Sequence, residues 1–154
     1  MPKTVYKLLW LAVGGGVLVW VDQVIKRFVW SLPVVQSVAP DGGVTYRWWT
    51  HRQNYGISFG IELPYYLSVG LMVAFLLFLL WVFFQRSTSH PLMVTGLILS
   101  IAGGVGNLID RVNLGYVRDY IALSPWLPIF NFADILVVSG VVLMLWGIYR
   151  YGRS

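Results

Sequence analysis

The chain has 154 residues, of which 58% are hydrophobic and only 11% are charged, and its formal net charge is +5. Soluble domains carry about 25% charged residues, so this composition excludes an ordinary soluble enzyme and indicates an integral membrane protein. The chain has no cysteine, which excludes disulfides, thiol nucleophiles and thiolate metal sites. Its basic residues form no sustained patch, so we expect no nucleic-acid partner and attribute their distribution to membrane topology.

A basic start followed by an apolar run opens the chain. Lys3 and Lys7 precede an uncharged stretch from Leu8 to Val21, a pattern typical of secretory signal peptides. No small-residue cleavage site follows, so the pattern predicts an uncleaved first transmembrane helix over about residues 8–29.

The segment from about residue 31 to residue 62 has a different character. It contains turn residues such as Pro40 and Asp41-Gly42-Gly43, followed by the β-branched and aromatic run 44–50. We predict a small β-rich loop domain that lies on the bilayer surface, with its tryptophans and tyrosines at headgroup level.

Three further apolar runs follow, each long enough to span a bilayer. They cover about residues 63–84, 91–110 and 133–150. Gly96, Ser100 and Gly104 recur at a spacing of four and predict close helix packing. The connection 112–128 reads as irregular. The fold class is therefore an all-α membrane protein with four transmembrane helices and a small β-rich extracytoplasmic loop domain between helices 1 and 2, which we expect to form one domain over residues 1–154.

Four spans place both termini on the same side of the membrane. The count of Lys and Arg, five on the side of the termini and six on the other, does not decide the orientation. The signal-like first segment predicts that the termini are cytoplasmic. The polar motifs then gather near the outer face.

Four separate elements deliver polar side chains to this level, where polar groups are costly and tend to be functional. They are Asp22, Lys26, Asn54, Asn107, Asp110, Arg111, Asp119, Asn131 and Asp134. Asp22 and Lys26 share a helix face and are expected to form an ion pair, which taken alone is more often structural than catalytic. Two carboxylates in a dry site share one proton, so one can activate water while the other protonates a leaving group. Asp119 and Asp134 are the best candidates, because a loop precedes each of them.

Five motifs carry a resemblance over nearly the whole chain. They are Asp22-Gln23 with Lys26, Asn54-x-Gly56-x-x-Phe59-Gly60, Gly106-Asn107-Leu108-Ile109-Asp110-Arg111, Gly115-x-Val117-x-Asp119 and Phe130-Asn131-x-Ala133-Asp134. In this order and spacing they resemble the lipoprotein signal peptidases, the type II signal peptidases of bacteria, which are membrane-embedded aspartic proteases. The tract before and after the first aspartate often reads Val-Val-Asp-Phe in that family. Here Arg118 and Tyr120 depart from it.

The resemblance implies a reaction and a set of roles. The family removes the signal peptide from prolipoproteins, just before a cysteine that carries diacylglycerol. The catalytic pair falls on Asp119 and Asp134. Substrate-orienting positions fall on Asn54, Asn107, Arg111 and Asn131, and supporting positions on Asp22, Lys26, Asp110, Gly56 and Gly106.

The same resemblance implies the setting in which the protein works. It implies no metal and no cofactor, contact with membrane lipids, inhibition by cyclic depsipeptides of the globomycin type, and a location in the bacterial cytoplasmic (inner) membrane. We expect a monomer.

Two other classes of function fit parts of the pattern. A small transporter or a proton- or cation-conducting protein would use intramembrane Asp, Asn and Lys along the whole bilayer, whereas these polar residues cluster at one end. A magnesium-dependent lipid-headgroup enzyme would use the carboxylates as ligands, but would be expected to carry more acids at helical spacing.

Overall fold

The computed structural model describes residues 3–33, 49–57, 61–85, 90–124 and 126–151. In chain order the elements are α1 (Lys3–Leu9), a π-helical segment (Trp10–Gly15), α2 (Gly16–Ser31), β1 (Trp49–Asn54), β2 (Gly56–Ile57), β3 (Ile61–Glu62), α3 (Tyr65–Phe84), α4 (Pro91–Leu114), β4 (Val117–Ile121) and α5 (Phe132–Tyr151). Within these residues four stretches are long and apolar enough to cross a membrane: Val5–Ser31, Tyr65–Phe84, Pro91–Leu114 and Phe132–Arg150. The predicted four-helix membrane fold with a small β-structured part is confirmed.

The first span is one continuous helix, in which α1 and α2 are joined by the π-helical segment. Leu9 and Gly15, at the two junctions, keep right-handed helical backbone angles. The helix ends at Ser31, because Leu32 precedes a proline and takes an extended conformation (φ −78°, ψ 143°). It therefore begins before and ends after the predicted range 8–29.

The third span is longer than the sequence predicted. α4 continues past residue 110 to Leu114 and ends where Gly115 adopts a positive φ of 82°. The Gly115 N–H donates to the carbonyl oxygen of Arg111 at 3.0 Å, which is a left-handed glycine cap. The extra turn carries Arg111 on the helix and leads directly into β4.

Small residues allow α4 to pack closely against its neighbours. A Cβ at Gly96 would lie 2.6 Å from the carbonyl oxygen of Gly140 on α5, and the Ser100 hydroxyl donates to another α5 carbonyl at 3.3 Å. Gly104 faces α3 instead, where a Cβ would lie 2.8 Å from Leu76 Cδ2. The predicted packing stripe is thus divided between two helices, with α4 between them.

The apolar core lies between α3 and α4. Its fully or nearly buried members are Leu76, Leu79, Phe83, Leu97, Ile98 and Ile101. Many large apolar side chains on the outer helix faces, such as Leu77, Trp81 and Leu145, are exposed. In water this would be unfavourable, so these faces suit contact with lipid.

The β-structured part draws on two different connections of the bundle. β1, between the first and second spans, pairs antiparallel with β4, between the third and fourth, with Arg52 opposite Asp119 and Asn54 opposite Val117. β2 and β3 form a second short antiparallel pair. The sheet thus joins the loop domain to the segment that carries Asp119.

The structure bears on two sequence predictions about these connections. The expectation that residues 112–128 are irregular was wrong, because Val117–Ile121 forms β4. It is a short strand with β-branched ends, and the partner that stabilises it, β1, is more than 60 residues away along the chain. Most of the predicted strand 44–50 lies outside the described residues, and Trp49 and Thr50 open β1.

Candidate active site

α5 begins in a hydrogen-bonded cap that positions one of the two candidate carboxylates. The Asp134 N–H donates to Asn131 Oδ1, and the Asn131 N–H donates to Asp134 Oδ2, both at 3.0 Å, which is capping-box geometry. The two intervening amides donate to the Tyr120 hydroxyl (3.2 Å) and to Asp22 Oδ1 (3.1 Å). These bonds satisfy the free N–H groups of the helix end and fix Asp134 relative to β4 and α2.

Asp119 lies on β4 and is only 2% exposed. Its carboxylate accepts hydrogen bonds from Asn131 Nδ2 at 2.7 Å and from Asn54 Nδ2 at 2.8 Å. Burial raises the pKa of Asp119 to about 6, and the nearby Asp134 charge acts in the same direction, while the bonds from the two asparagines oppose it. A carboxyl with this pKa exchanges its proton close to neutral pH, as general acid–base chemistry requires.

Asn131 links the two carboxylates. Its side-chain amide donates to Asp119 and its backbone N–H donates to Asp134, so both acids lie within hydrogen-bond distance of one residue. Asn107, on α4, completes the arrangement by donating from Nδ2 to Asp134 Oδ1 at 2.8 Å. Its Oδ1 accepts from Asn131 Nδ2 at 3.1 Å. The structure therefore brings together Asn54, Asn107, Asn131 and both predicted acids.

A buried group of charges supports this arrangement from the side of α2. Lys26 is fully buried, and its Nζ lies 2.9 Å from Asp22 Oδ2 and 3.5 Å from Asp110 Oδ2. The predicted ion pair between Asp22 and Lys26 is thus confirmed. Lys26 also donates to Asn107 Oδ1 at 2.9 Å, which connects the charged group to the asparagine that holds Asp134.

The close approach of α4 to Asp22 requires glycine at position 106. A Cβ at Gly106 would lie 2.5 Å from Asp22 Oδ2, so any larger residue would displace the carboxylate that pairs with Lys26. The carbonyl oxygen of Gly106 also accepts from Gln23 Nε2 at 3.0 Å.

Arg111 holds the loop domain onto the helices. Its Nη1 donates to the carbonyl oxygen of Tyr55 at 2.6 Å, and its Nη2 donates to that of Gly56. The Gly56 N–H in turn donates to Asn54 Oδ1 at 3.0 Å. Arg111 and Gly56 therefore fix the segment from which Asn54 reaches Asp119.

Three residues that contact the site were named in the sequence analysis but given no role in it. The Gln23 side chain bonds to both α4 and Arg118, Arg118 bonds to Asp110, and the Tyr120 hydroxyl caps α5. Burial raises the pKa of Tyr120 to about 12, so the hydroxyl keeps its proton. The alternation of a strand was the available signal, because it places residues 118 and 120 on the face opposite to Asp119.

The arrangement suits general acid–base chemistry on a bound substrate. The structure pairs two carboxylates through neutral amide donors, whereas the neighbouring Asp22 and Asp110 are paired with cations. Among the described residues, no group of three or more His, Cys, Asp or Glu side chains is placed to hold a metal ion.

The fold and the site together define a multi-pass membrane protein with two neighbouring carboxylates, one buried and one half-buried, at one end of its helical bundle. The family model for signal peptidase (SPase) II matches residues 15–150. The chain therefore belongs to the signal peptidase II family and is a membrane protease, which argues against the transporter and lipid-headgroup alternatives.

Curated relatives and solved structures agree with this assignment. The chain is 36% identical over 139 residues to the lipoprotein signal peptidase of Halothermothrix orenii, covering 84% of this chain and 88% of the relative. It is 30% identical over 144 residues to that of Bartonella tribocorum, covering 90% and 85%. A bacterial membrane enzyme structure solved by the in meso method at 2.3 Å resolution has the same fold, with a TM-score of 0.75 at 24% identity, covering 91% of this chain and 87% of that one.

Proposed function

We propose that this protease is an aspartic endopeptidase that removes the signal peptide from diacylglyceryl-modified prolipoproteins, cutting just before the lipid-modified cysteine. Asp119 and Asp134 form its catalytic pair. The observation that carries this proposal is the position of Asn131, which donates one hydrogen bond to each carboxylate. Membership of the signal peptidase II family supports the substrate class.

The pair would work with one proton between its two members. The ionised carboxylate takes a proton from a water molecule as the water oxygen attacks the scissile carbonyl carbon. The protonated carboxyl then gives its proton to the leaving amine as the C–N bond breaks. The donors around the pair are neutral amides, which hold the carboxylates in place without neutralising their charge.

Arg111 and the asparagines are proposed to orient the substrate. Arg111 is 2% exposed, and its Nε has no hydrogen-bond partner among the described residues, although its two terminal nitrogens are used by the loop domain. A buried donor of this kind favours a carbonyl acceptor, which an extended substrate backbone supplies. Asn54 and Asn107 lie on either side of the carboxylate pair and complete the proposed substrate-binding set.

The position of the pair at one end of the bundle fits a lipid-anchored substrate. An even number of spans places both termini at the opposite end, which we propose to be cytoplasmic, so the site lies near the outer face of the bacterial inner membrane. The scissile bond of the proposed substrate lies beside its diacylglyceryl group, at the membrane surface. Access from the lipid side would then let the acyl chains stay in the bilayer while the peptide enters the site.

The test is cleavage of a diacylglyceryl prolipoprotein by purified full-length protein, followed by gel shift and by mass determination of the product. Asp119→Asn and Asp134→Asn are each expected to lower turnover by at least about 1,000-fold, since each removes one half of the acid–base pair. Both variants are expected to insert, purify and unfold cooperatively. Full cleavage by either folded variant would remove that residue from the pair, and a product that begins elsewhere than at the lipid-modified cysteine would refute the cleavage position.

A further inference from the structure

Arg118 makes an extensive set of buried contacts on the side of β4 opposite to Asp119. Its Nη2 lies 2.6 Å from Asp110 Oδ1, and its Nε and backbone N–H donate to Asp110 Oδ2 at 3.1 and 3.0 Å. Nη2 also donates to Gln23 Oε1 at 3.0 Å. The Arg118 side chain is only 10% exposed. A forked, buried arginine–carboxylate contact of this kind is strong and geometrically specific.

Asp110 also contacts Lys26, so Arg118 and Lys26 share one carboxylate. This shared contact connects Arg118 to the candidate site. Lys26 Nζ lies 3.5 Å from Asp110 but 2.9 Å from both Asp22 and Asn107 Oδ1. Because Arg118 neutralises Asp110 at 2.6 Å, Lys26 is drawn toward Asp22 and Asn107 instead. Without Arg118, one ammonium group would have to serve two buried carboxylates.

The contact between Lys26 and Asn107 continues to the carboxylate pair. Asn107 Oδ1 is held by Lys26, and this orients its Nδ2 toward Asp134 at 2.8 Å. At the other end, Arg118 precedes Asp119 directly in β4, and its anchoring on Asp110 fixes the strand at that point. Arg118 is therefore connected to one member of the pair through the strand and to the other through Asp110, Lys26 and Asn107.

We infer that Arg118 is a positioning residue for the carboxylate pair: by holding Asp110 it keeps Lys26 on Asn107, and it thereby sets both the geometry and the protonation of Asp119 and Asp134. The inference rests on the catalytic pair of the proposed function. It adds a residue that none of the five motifs contains.

The charges of the cluster link Arg118 to the protonation of the pair. The acids of the cluster are Asp22, Asp110, Asp119 and Asp134, and the cations are Lys26, Arg111 and Arg118. With one proton on the catalytic pair, three negative and three positive charges remain and the cluster is neutral. Loss of Arg118 leaves one negative charge in excess, which favours a second proton on the pair.

The other titratable groups around the pair do not replace this charge. Among the residues that the structure describes they include the exposed Arg52, which lies opposite Asp119, the half-buried His51 on β1, and the buried Tyr120 on β4. Tyr120 is neutral near pH 7. His51 is bonded to the carbonyl oxygen of Val29 and stacked on Trp30, at the end of α2.

The test compares four full-length variants in the prolipoprotein cleavage assay over a range of pH. Arg118→Met removes the charge and keeps much of the side-chain volume, and Arg118→Lys keeps the charge but not the fork. The double variant Asp110→Asn with Arg118→Met removes one charge of each sign. Arg27→Met removes a cation from the exposed position next to Lys26 and is the matched control.

For Arg118→Met we expect kcat to fall by roughly 10- to 100-fold, as for a small displacement of catalytic groups, with KM nearly unchanged. The acid limb of its pH profile is expected to move up by roughly half a pH unit or more, because the excess negative charge holds the second proton. In the double variant the acid limb should return toward the wild-type position. Arg118→Lys should leave the acid limb at the wild-type position and lower kcat in part. Arg27→Met should resemble wild type in both respects.

A role in folding alone would lower thermal stability in Arg118→Met and leave the pH profile of the remaining activity unchanged, and that result would overturn the inference. The inference would also be overturned if the acid limb of the double variant stayed at the position found for Arg118→Met. Failure of the proposed function is recognised separately, because in that case Asp119→Asn or Asp134→Asn would cleave the substrate whatever Arg118 does.

Discussion

Asp119→Asn is expected to stabilise the protein at neutral and alkaline pH while it abolishes cleavage. The pKa of Asp119 is about 6 in the folded protein, against an ordinary value of 3.8. A difference of roughly two pH units corresponds to about 3 kcal/mol, which is the free energy that the buried, ionised carboxylate costs the folded state above pH 6. Asparagine carries no charge and does not incur this cost.

A lost hydrogen bond opposes part of that gain. Both oxygens of Asp119 accept from amide groups, those of Asn54 and Asn131. An asparagine at this position turns its own NH₂ toward one of those donors, which costs about 1–2 kcal/mol. The net gain at pH 8 is therefore about 1–2 kcal/mol, and in a chain of this length it raises Tm by about 2–8 °C.

The pH dependence of the effect follows from the raised pKa. Folded Asp119 binds a proton that the unfolded chain has already released between about pH 4 and pH 6, so the stability of the wild-type protein falls as pH rises through this window. Below about pH 4 the carboxyl is protonated in both states and its desolvation no longer favours the variant. There only the lost hydrogen bond remains, and the variant should be slightly less stable than wild type.

Thermal unfolding of both proteins in detergent at pH 4, 6 and 8 checks this reasoning. Asp110→Asn serves as the contrasting variant, because its carboxylate is ion-paired with Arg118 and Lys26. Loss of that charge should lower Tm at pH 8. A change in Tm for Asp119→Asn that is the same at all three pH values would show that burial does not raise the pKa of this group, and would refute the argument.

Two further predictions concern the scaffold. Gly140→Ala is expected to destabilise the protein by about 1–3 kcal/mol through overpacking, because its Cβ would collide with α4. Gly70→Ala, where a Cβ meets nothing within 4 Å, should leave Tm nearly unchanged, and equal effects of the two substitutions would contradict the packing geometry. Lys26→Met is expected to cost about 3–5 kcal/mol, since it leaves Asp22 buried without its partner. Adding Asp22→Asn should recover part of the lost Tm, and no recovery would mean that the charge of Asp22 is not the cause.

Much of the fold follows from local sequence, and the exceptions have a common cause. The four spans are predictable because a run of about 20 apolar residues indicates a transmembrane helix. The ion pair between Asp22 and Lys26 follows from helical spacing. β4 was missed because five residues carry little signal without their partner strand, which lies in another connection. The cap formed by Asn131 and Asp134 had a readable signal, an Asn followed three residues later by an acid.

The tertiary part of the site could not be read from the sequence alone. No local rule joins Arg118 to Asp110 or directs Arg111 to the carbonyl oxygens of Tyr55 and Gly56, because these contacts depend on how the loop domain lies on the helices. The roles of Asp119 and Asp134 were assigned through the family resemblance. The structure adds the hydrogen bonds that support those roles.

The partners of the four acids in this small cluster fall into two kinds, and these fit different tasks. Among the described residues the ion pairs fall on Asp22 and Asp110, which contact Lys26 and Arg118. The hydrogen bonds to Asp119 and Asp134 come from amide groups. The ion pairs fix the carboxylates of Asp22 and Asp110 between the helices, whereas the amide donors hold Asp119 and Asp134 in place without adding a formal charge beside them. In the proposed mechanism the cations thus lie where a charge is held by the scaffold, and the amides lie where a proton is transferred.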